Sequence, residues 1–387
     1  MKVDYKTPLK VVVNSLYHYY HIKVEVEETN GLDFFPTNII GINDESKTFT
    51  LRFNPKVLTI LALYNLALGQ NIDTEEAIIR YSLFYACLEM DDYEQACIHL
   101  DAFRKEMIHL SLHTLTEDNR ENIRAQLLTQ LYFLFFHESF HIIFHHQPNN
   151  RTLALDTTRQ LLLDIKTEWK DGFSLITKEE LLNHPKTKQH INNMIPQELS
   201  GTEQQEMEES LHRELSKNTI RPNYIDYVLQ YDKTLVEEIT CDRQAWLNLL
   251  PVFQDDGATE QDILQIHLWI FTVFNAMDFN KFLQSQFVPS LHGKKEYDGM
   301  RVVLRHKAFK ALLRQYNPDI YKLLKSEYLD LNDGVDAIFR SAVMTLHRHT
   351  DDLSRLYAKH SEDSSYTDFT QIMRLEQELS EVSDMLY

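Results

Sequence analysis

From Leu127 to Phe144 the chain is apolar on almost every face of the helix that its period predicts, and inside that run sits His137-Glu138-Ser139-Phe140-His141. A helix that is apolar all round belongs in the middle of a domain, packed on several sides. Two imidazoles and a carboxylate placed there cost desolvation unless something satisfies them. The fold therefore has to surround this segment and bring partners to it. Asp118 with Glu121 three residues on reads as the capping box that starts the helix, and Pro148 as its stop.

The rest of the chain reads as mainly helical. It has 9 glycines in 387 residues, too few for the many tight turns of a doubly wound fold or a β-sandwich. Strand signals crowd into the first fifty-odd residues. His21–Glu28 alternates apolar and polar positions, and Asn38–Gly41 with Lys47–Phe53 reads as a hairpin around Asn43-Asp44. After Pro55 the pattern predicts helices over Val57–Leu68, Glu75–Met90 and Tyr93–His113. Beyond Tyr224 it predicts Leu235–Leu249, Gln261–Phe287, Met300–Gln315, Asp336–Tyr357 and Met373–Leu386. The expectation is an α+β fold, mainly helical, with a small N-terminal sheet packed against the long helix.

Three regions follow: residues 1–115 with the sheet, a core over 116–310, and a helical C-terminal region over 311–387. Residues 183–222 are polar and turn-rich, with one amphipathic stripe at Met207, Leu211 and Leu215. They read as an insertion or mobile cover over the core.

A formal net charge of −19 repels phosphate backbones and anionic headgroups, so no nucleic acid or membrane partner is expected. Three cysteines, Cys87, Cys97 and Cys241, form no CxxC pair and fit a reducing compartment. The N-terminus lacks the apolar core of a signal peptide, and the most apolar run, Leu268–Met277, is too short to cross a bilayer. A cytoplasmic protein is expected.

His-Glu-x-x-His carries chemistry through its spacing. Side chains at i and i+4 share a helix face, so His137 and His141 can reach one metal ion. Glu138 beside them can then take a proton from a water activated there. A catalytic zinc of this kind needs a third protein ligand. The metzincin position for it is Gln147, and Phe144 stands where that pattern needs glycine, so that class is excluded. His145 and His146 fall on other faces. Glu238-Ile-Thr-Cys-Asp242 is the chain's one E-x-x-x-D and lies in a predicted helix. Glu238 can be the third ligand, and Asp242, one turn on, can accept the second ring N–H of a ligating histidine. The alternative is a solvated helix face, and Glu237 could substitute for Glu238 if the register is shifted.

HExxH followed by Glu238-x-x-x-Asp242-x-x-Ala245 resembles the gluzincin metallopeptidases of the HtpX and Oma type, over about residues 137–301. The resemblance implies a zincin-like catalytic core, one zinc per chain and hydrolysis of a protein or peptide substrate. It implies His137, His141 and Glu238 as ligands and Glu138 as general base. In that family a Ser/Thr-His-Pro segment and an arginine follow. Here Ser290-Leu291-His292-Gly293 and Arg301 stand in that place without the proline, and His292 or Arg301 would steady the oxyanion. A surface-loop histidine and a helix-start arginine are the other reading. HExxH alone is also similar to the soluble Lit-type phage-exclusion protease. An edge strand usually aligns the substrate in zinc peptidases, and Lys47–Phe53 is the candidate.

Two other classes compete. A helical di-iron protein uses Glu-x-x-His pairs, and Glu138/His141, Glu106/His109 and Glu209/His212 all have that spacing. A zinc-binding protein without catalysis, or an adaptor with hydrogen-bonded core histidines, is the third possibility.

Overall fold

The computed structural model describes residues 4–29, 37–39, 48–70, 72–89, 92–111, 115–172, 183, 185–195, 199–217, 224–255, 257–287, 299–322 and 377. The expected helices at Asp336–Tyr357 and Met373–Leu386 lie almost wholly outside them, as do the turn at Asn43-Asp44 and the segment carrying His292.

The chain is mostly helical, with one small sheet among the described residues, near its start. Helix α1 (Lys6–Tyr20) precedes strands β1 (Lys23–Glu28), β2 (Thr37–Ile39) and β3 (Thr48–Phe53). Then come α2 (Val57–Gln70), α3 (Glu75–Glu89), α4 (Tyr93–His109), α5 (Glu117–His146) and α6 (Pro148–Gly172). Two shorter helices, α7 (Pro185–Met194) and α8 (Gly201–Lys217), occupy the polar segment. They are followed by α9 (Tyr224–Tyr231), α10 (Lys233–Asp255), α11 (Glu260–Phe287) and α12 (Gly299–Tyr316).

Helix α5 is apolar on every face because it stands between two cores. Leu127, Leu131, Phe135 and Ile142 pack into one, with α1, the sheet and α2 to α4. Phe133 packs into the other, built from α6 and α9 to α12, while Tyr132 and Phe136 touch both. By length and composition α5 could also cross a membrane, which the sequence did not single out, but 72% of its apolar window is buried within the protein. A buried amide pair ties it to its neighbours. Gln130 Nε2 donates to Asn65 Oδ1 on α2 at 2.8 Å and to the Trp269 carbonyl on α11 at 2.8 Å, and Asn65 Nδ2 donates back at 2.9 Å.

Both expected boundaries of α5 shift. Its capping box is Thr116 with Asn119: Asn119 N–H donates to Thr116 Oγ1 at 3.1 Å, and Thr116 N–H to Asn119 Oδ1 at 2.9 Å. Thr116 has the extended backbone a cap requires (φ −85°, ψ 167°), whereas Asp118 is already helical and its charge faces the positive end of the helix. Pro148 does more than stop α5. It is the first residue of α6, where its missing N–H costs nothing. A one-residue connection at Gln147 therefore turns the chain straight back along the site helix.

The sheet has the order β1-β3-β2. β3 pairs antiparallel with β2 (Ile39 opposite Thr50) and parallel with β1 (Lys23 opposite Thr48). Phe49, Leu51 and Phe53 are buried, and the Phe53 ring lies 5.2 Å from Phe135, so the sheet packs on the site helix as expected. The role given to Lys47–Phe53 needs correction. β3 is the middle strand, with β1 along one side and β2 on the other, so its backbone cannot accept a substrate strand; an added strand would have to join β1 or β2.

Candidate metal centre

The site forms where α5 packs against α10. His137 and His141 occupy one face of α5 by their i, i+4 spacing. On α10, Glu238 and Asp242 share a face in the same way, one turn apart. Ile239, Ala245, Trp246 and Leu249 bury α10 among α6, α11 and α12. Thr240 Oγ1 donates to Thr158 Oγ1 on α6 at 2.9 Å, which fixes how α10 is rotated.

Three ligand groups converge. The Nε2 atoms of His137 and His141 lie 3.2 Å apart. Each is 3.4 Å from a Glu238 carboxylate oxygen, His137 from Oε2 and His141 from Oε1. Among the described residues, His137, His141 and Glu238 are the one group of three or more such side chains able to hold a metal ion. Ligands placed about 2.0–2.1 Å from a tetrahedral ion stand roughly 3.3–3.4 Å apart, so the donor set and spacing fit a small divalent cation.

Each histidine turns its other ring nitrogen to a carboxylate that an arginine holds. His137 Nδ1 is 2.8 Å from Asp242 Oδ1, though off the axis of a well-formed hydrogen bond. Asp242 is gripped by Arg305 of α12, with Nε donating to Oδ2 at 2.7 Å and Nη2 to Oδ1 at 2.8 Å. Arg305 Nη1 also comes within 3.5 Å of Glu238, and its guanidinium lies 5.2 Å from the Phe274 ring. His141 Nδ1 is 3.3 Å from Glu237 Oε1, and Arg151 of α6 donates twice to Glu237 Oε2.

Burial and charge oppose each other here. Burial alone would depress the His137 pKa, but Asp242 and Glu238 outweigh it and raise the value above 6.5. His141 is raised well above its ordinary range against the same penalty, through Cys241, Glu237 and Glu238. Burial pushes Glu238 up, yet His137, His141 and Arg305 hold it well below 4.5. Asp242 is lowered despite burial by Arg305 and His137. Burial drives the Cys241 thiol up to about 12.

A cleft of about 440 Å³ opens beside the cluster, lined by Glu138, His141, Arg151, Lys233, Thr234, Glu237 and Glu238. Of the residues expected from the sequence, His137, His141, Glu238 and Asp242 come together, and Glu138 lines the cleft next to them. Arg301 Nη1 pairs with Asp232 Oδ2 at 3.0 Å, next to the cleft-lining Lys233, and Arg301 is not among the residues lining the cleft. His292 lies outside the described residues. His145 meets Phe49 edge-on at 5.9 Å, in the last turn of α5. Neither Glu106 nor His109 joins the ligand group, and His109 is exposed on α4.

Arg305, Arg151 and Cys241 escaped sequence reasoning as parts of the site, and Glu237, named there only as a stand-in for Glu238, instead faces the second ring nitrogen of His141. One signal was available for Arg305: it stands four residues after Arg301, on the same face of the same helix.

No protein-family model, no curated protein and no solved structure matches this chain.

Proposed function

We propose that this chain is a zinc-dependent peptidase acting on a protein or peptide substrate. The observation that carries the proposal is the convergence of two imidazole Nε2 atoms and the Glu238 carboxylate at 3.2–3.4 Å, beside a cleft that Glu138 lines. Two histidines and a glutamate form the protein share of a catalytic zinc site that keeps one position open. The donor set, two imidazoles and one carboxylate, suits zinc.

Zinc held there would supply Lewis acidity, polarising the scissile carbonyl and lowering the pKa of water at the open position. The chain's own groups do the rest. Glu138 takes the proton of the attacking water and passes it to the leaving amine. Asp242, clamped by Arg305, keeps the His137 ring turned so that Nε2 faces the ligand cluster. The cleft is open, which suits an extended segment of a protein. The three cysteines form no disulfide, in keeping with a reducing, cytoplasmic setting.

The test is to incubate zinc-loaded protein with a broad peptide library and read cleavage by mass spectrometry. New termini that appear with the parent and vanish with Glu138→Gln support the proposal. A zinc-loaded parent that cleaves nothing argues for the non-catalytic zinc protein.

A further inference from the structure

Resting on the metal-site reading above, we infer that Glu237, held by Arg151, is the positioning residue for His141, and that the arginine-carboxylate relay behind this ligand opens onto the cleft. A histidine that binds metal through Nε2 must carry its proton on Nδ1, and an acceptor at Nδ1 fixes both tautomer and ring angle. Glu237 Oε1 sits 3.3 Å from His141 Nδ1 and fills that role. Its other oxygen is occupied by Arg151, with Nη2 at 2.5 Å and Nε at 3.2 Å. This division leaves Oε1 to the histidine.

The pairing follows from how the chain is connected. α6 begins one residue after α5 ends, and Arg151 is in its first turn, with its N–H bonded to the Gln147 carbonyl at 3.2 Å. The chain reversal therefore brings Arg151 back beside His141. Glu237 also adjoins Glu238 in sequence, and two half-buried carboxylates so close repel each other unless a cation offsets one. Arg151 offsets Glu237; Arg305 and the histidines offset Glu238.

The two relays differ in access. Arg305 is 9% exposed and closed inside the helix packing. The Arg151 side chain is 44% exposed and forms part of the cleft wall. The His137 relay is thus sealed, whereas the His141 relay faces the space where a substrate would lie.

Zinc affinity measured by chelator competition tests this in the full-length parent, Glu237→Gln, Arg151→Ala and the double variant. Both side chains are partly exposed and glutamine is isosteric, so the variants should still fold; the metal-free melting temperature, lowered modestly by loss of the Glu237 charge beside His141 and Arg151, is recorded with each affinity. The expected result is a loss of roughly 10–100-fold for Glu237→Gln and a smaller loss for Arg151→Ala. The double variant should bind no more weakly than Glu237→Gln, because Arg151 acts through Glu237. Cobalt(II) in place of zinc should show shifted visible bands in Glu237→Gln, a change that loss of a merely structural contact would not produce. A parent that holds zinc while Glu237→Gln binds it within twofold and leaves the cobalt spectrum unmoved overturns this inference alone. A parent that holds no metal overturns the metal site, and this inference with it.

Discussion

Arg305 grips Asp242 through two hydrogen bonds, at 2.7 and 2.8 Å, in the closed space between α10 and α12. Both are buried, and Asp242 also faces His137. Removing one partner of a buried ion pair leaves an uncompensated charge, a loss of about 3–5 kcal/mol. Arg305→Met should therefore destabilise the protein by about that amount in urea unfolding.

Asp242→Ala should act differently. It removes the partner that orients His137 without removing a ligand, so zinc affinity should fall roughly 10–100-fold and not vanish. Chelator competition measures this. An affinity equal to the parent's would return Asp242 to a purely structural ion pair.

The titrating groups predict a pH optimum for the stability of metal-free protein. His137 and His141 have folded-state pKa values raised above 6.5, so their contribution is complete below 6.5 and is lost as pH rises through the folded values. His267 and His306 are buried with pKa values lowered by burial to about 3, so theirs is complete above 6.5 and is lost as pH falls. As far as these four groups go, the melting temperature in a chelator should peak near pH 6.5. Zinc bound as proposed would take the place of the protons on His137 and His141, so the shift it produces should grow between pH 6 and 8. A zinc-induced shift that does not change over that range would contradict the assignment of these ligands.

The Asn65–Gln130 pair serves the fold alone. Gln130→Ala strands the buried Asn65 amide and the Trp269 carbonyl, at roughly 1–3 kcal/mol for each unsatisfied group. Chemical unfolding should show that loss, with zinc content per folded molecule unchanged.

The candidate cluster was legible because helical spacing encodes a face. His137 and His141, like Glu238 and Asp242, stand four apart, and two such faces can meet only if their helices pack. Arg305 and Arg151 were not legible as members, because their roles depend on the angles at which α12 and α6 cross the site; Glu237 was legible only as an alternative to Glu238, because the face of α10 that meets α5 depends on packing. Helix α1 was not expected from the sequence; its β-branched run Val11–Val13 has low helix propensity, which packing overrides. Helix α6 was hidden because its apolar positions are few and Leu153 points to solvent, 72% exposed. β3 was expected at an edge because local alternation carries no information about a distant partner. Its pairing with β1 is parallel and skips over β2.

The central claim assigns a base and a ligand to two glutamates that touch one cleft, and their amide variants separate the roles. Glu138→Gln keeps the side chain's size and removes its ability to take a proton. Zinc content should remain near one per chain, while peptide hydrolysis falls by roughly 10²–10⁴-fold. Glu238→Gln replaces a carboxylate ligand by a poor amide one, so zinc should be lost first and activity with it. The decisive measurement is zinc per chain in the two purified variants beside the parent: near one for Glu138→Gln and near zero for Glu238→Gln supports the account. Metal lost from Glu138→Gln and kept by Glu238→Gln would contradict it.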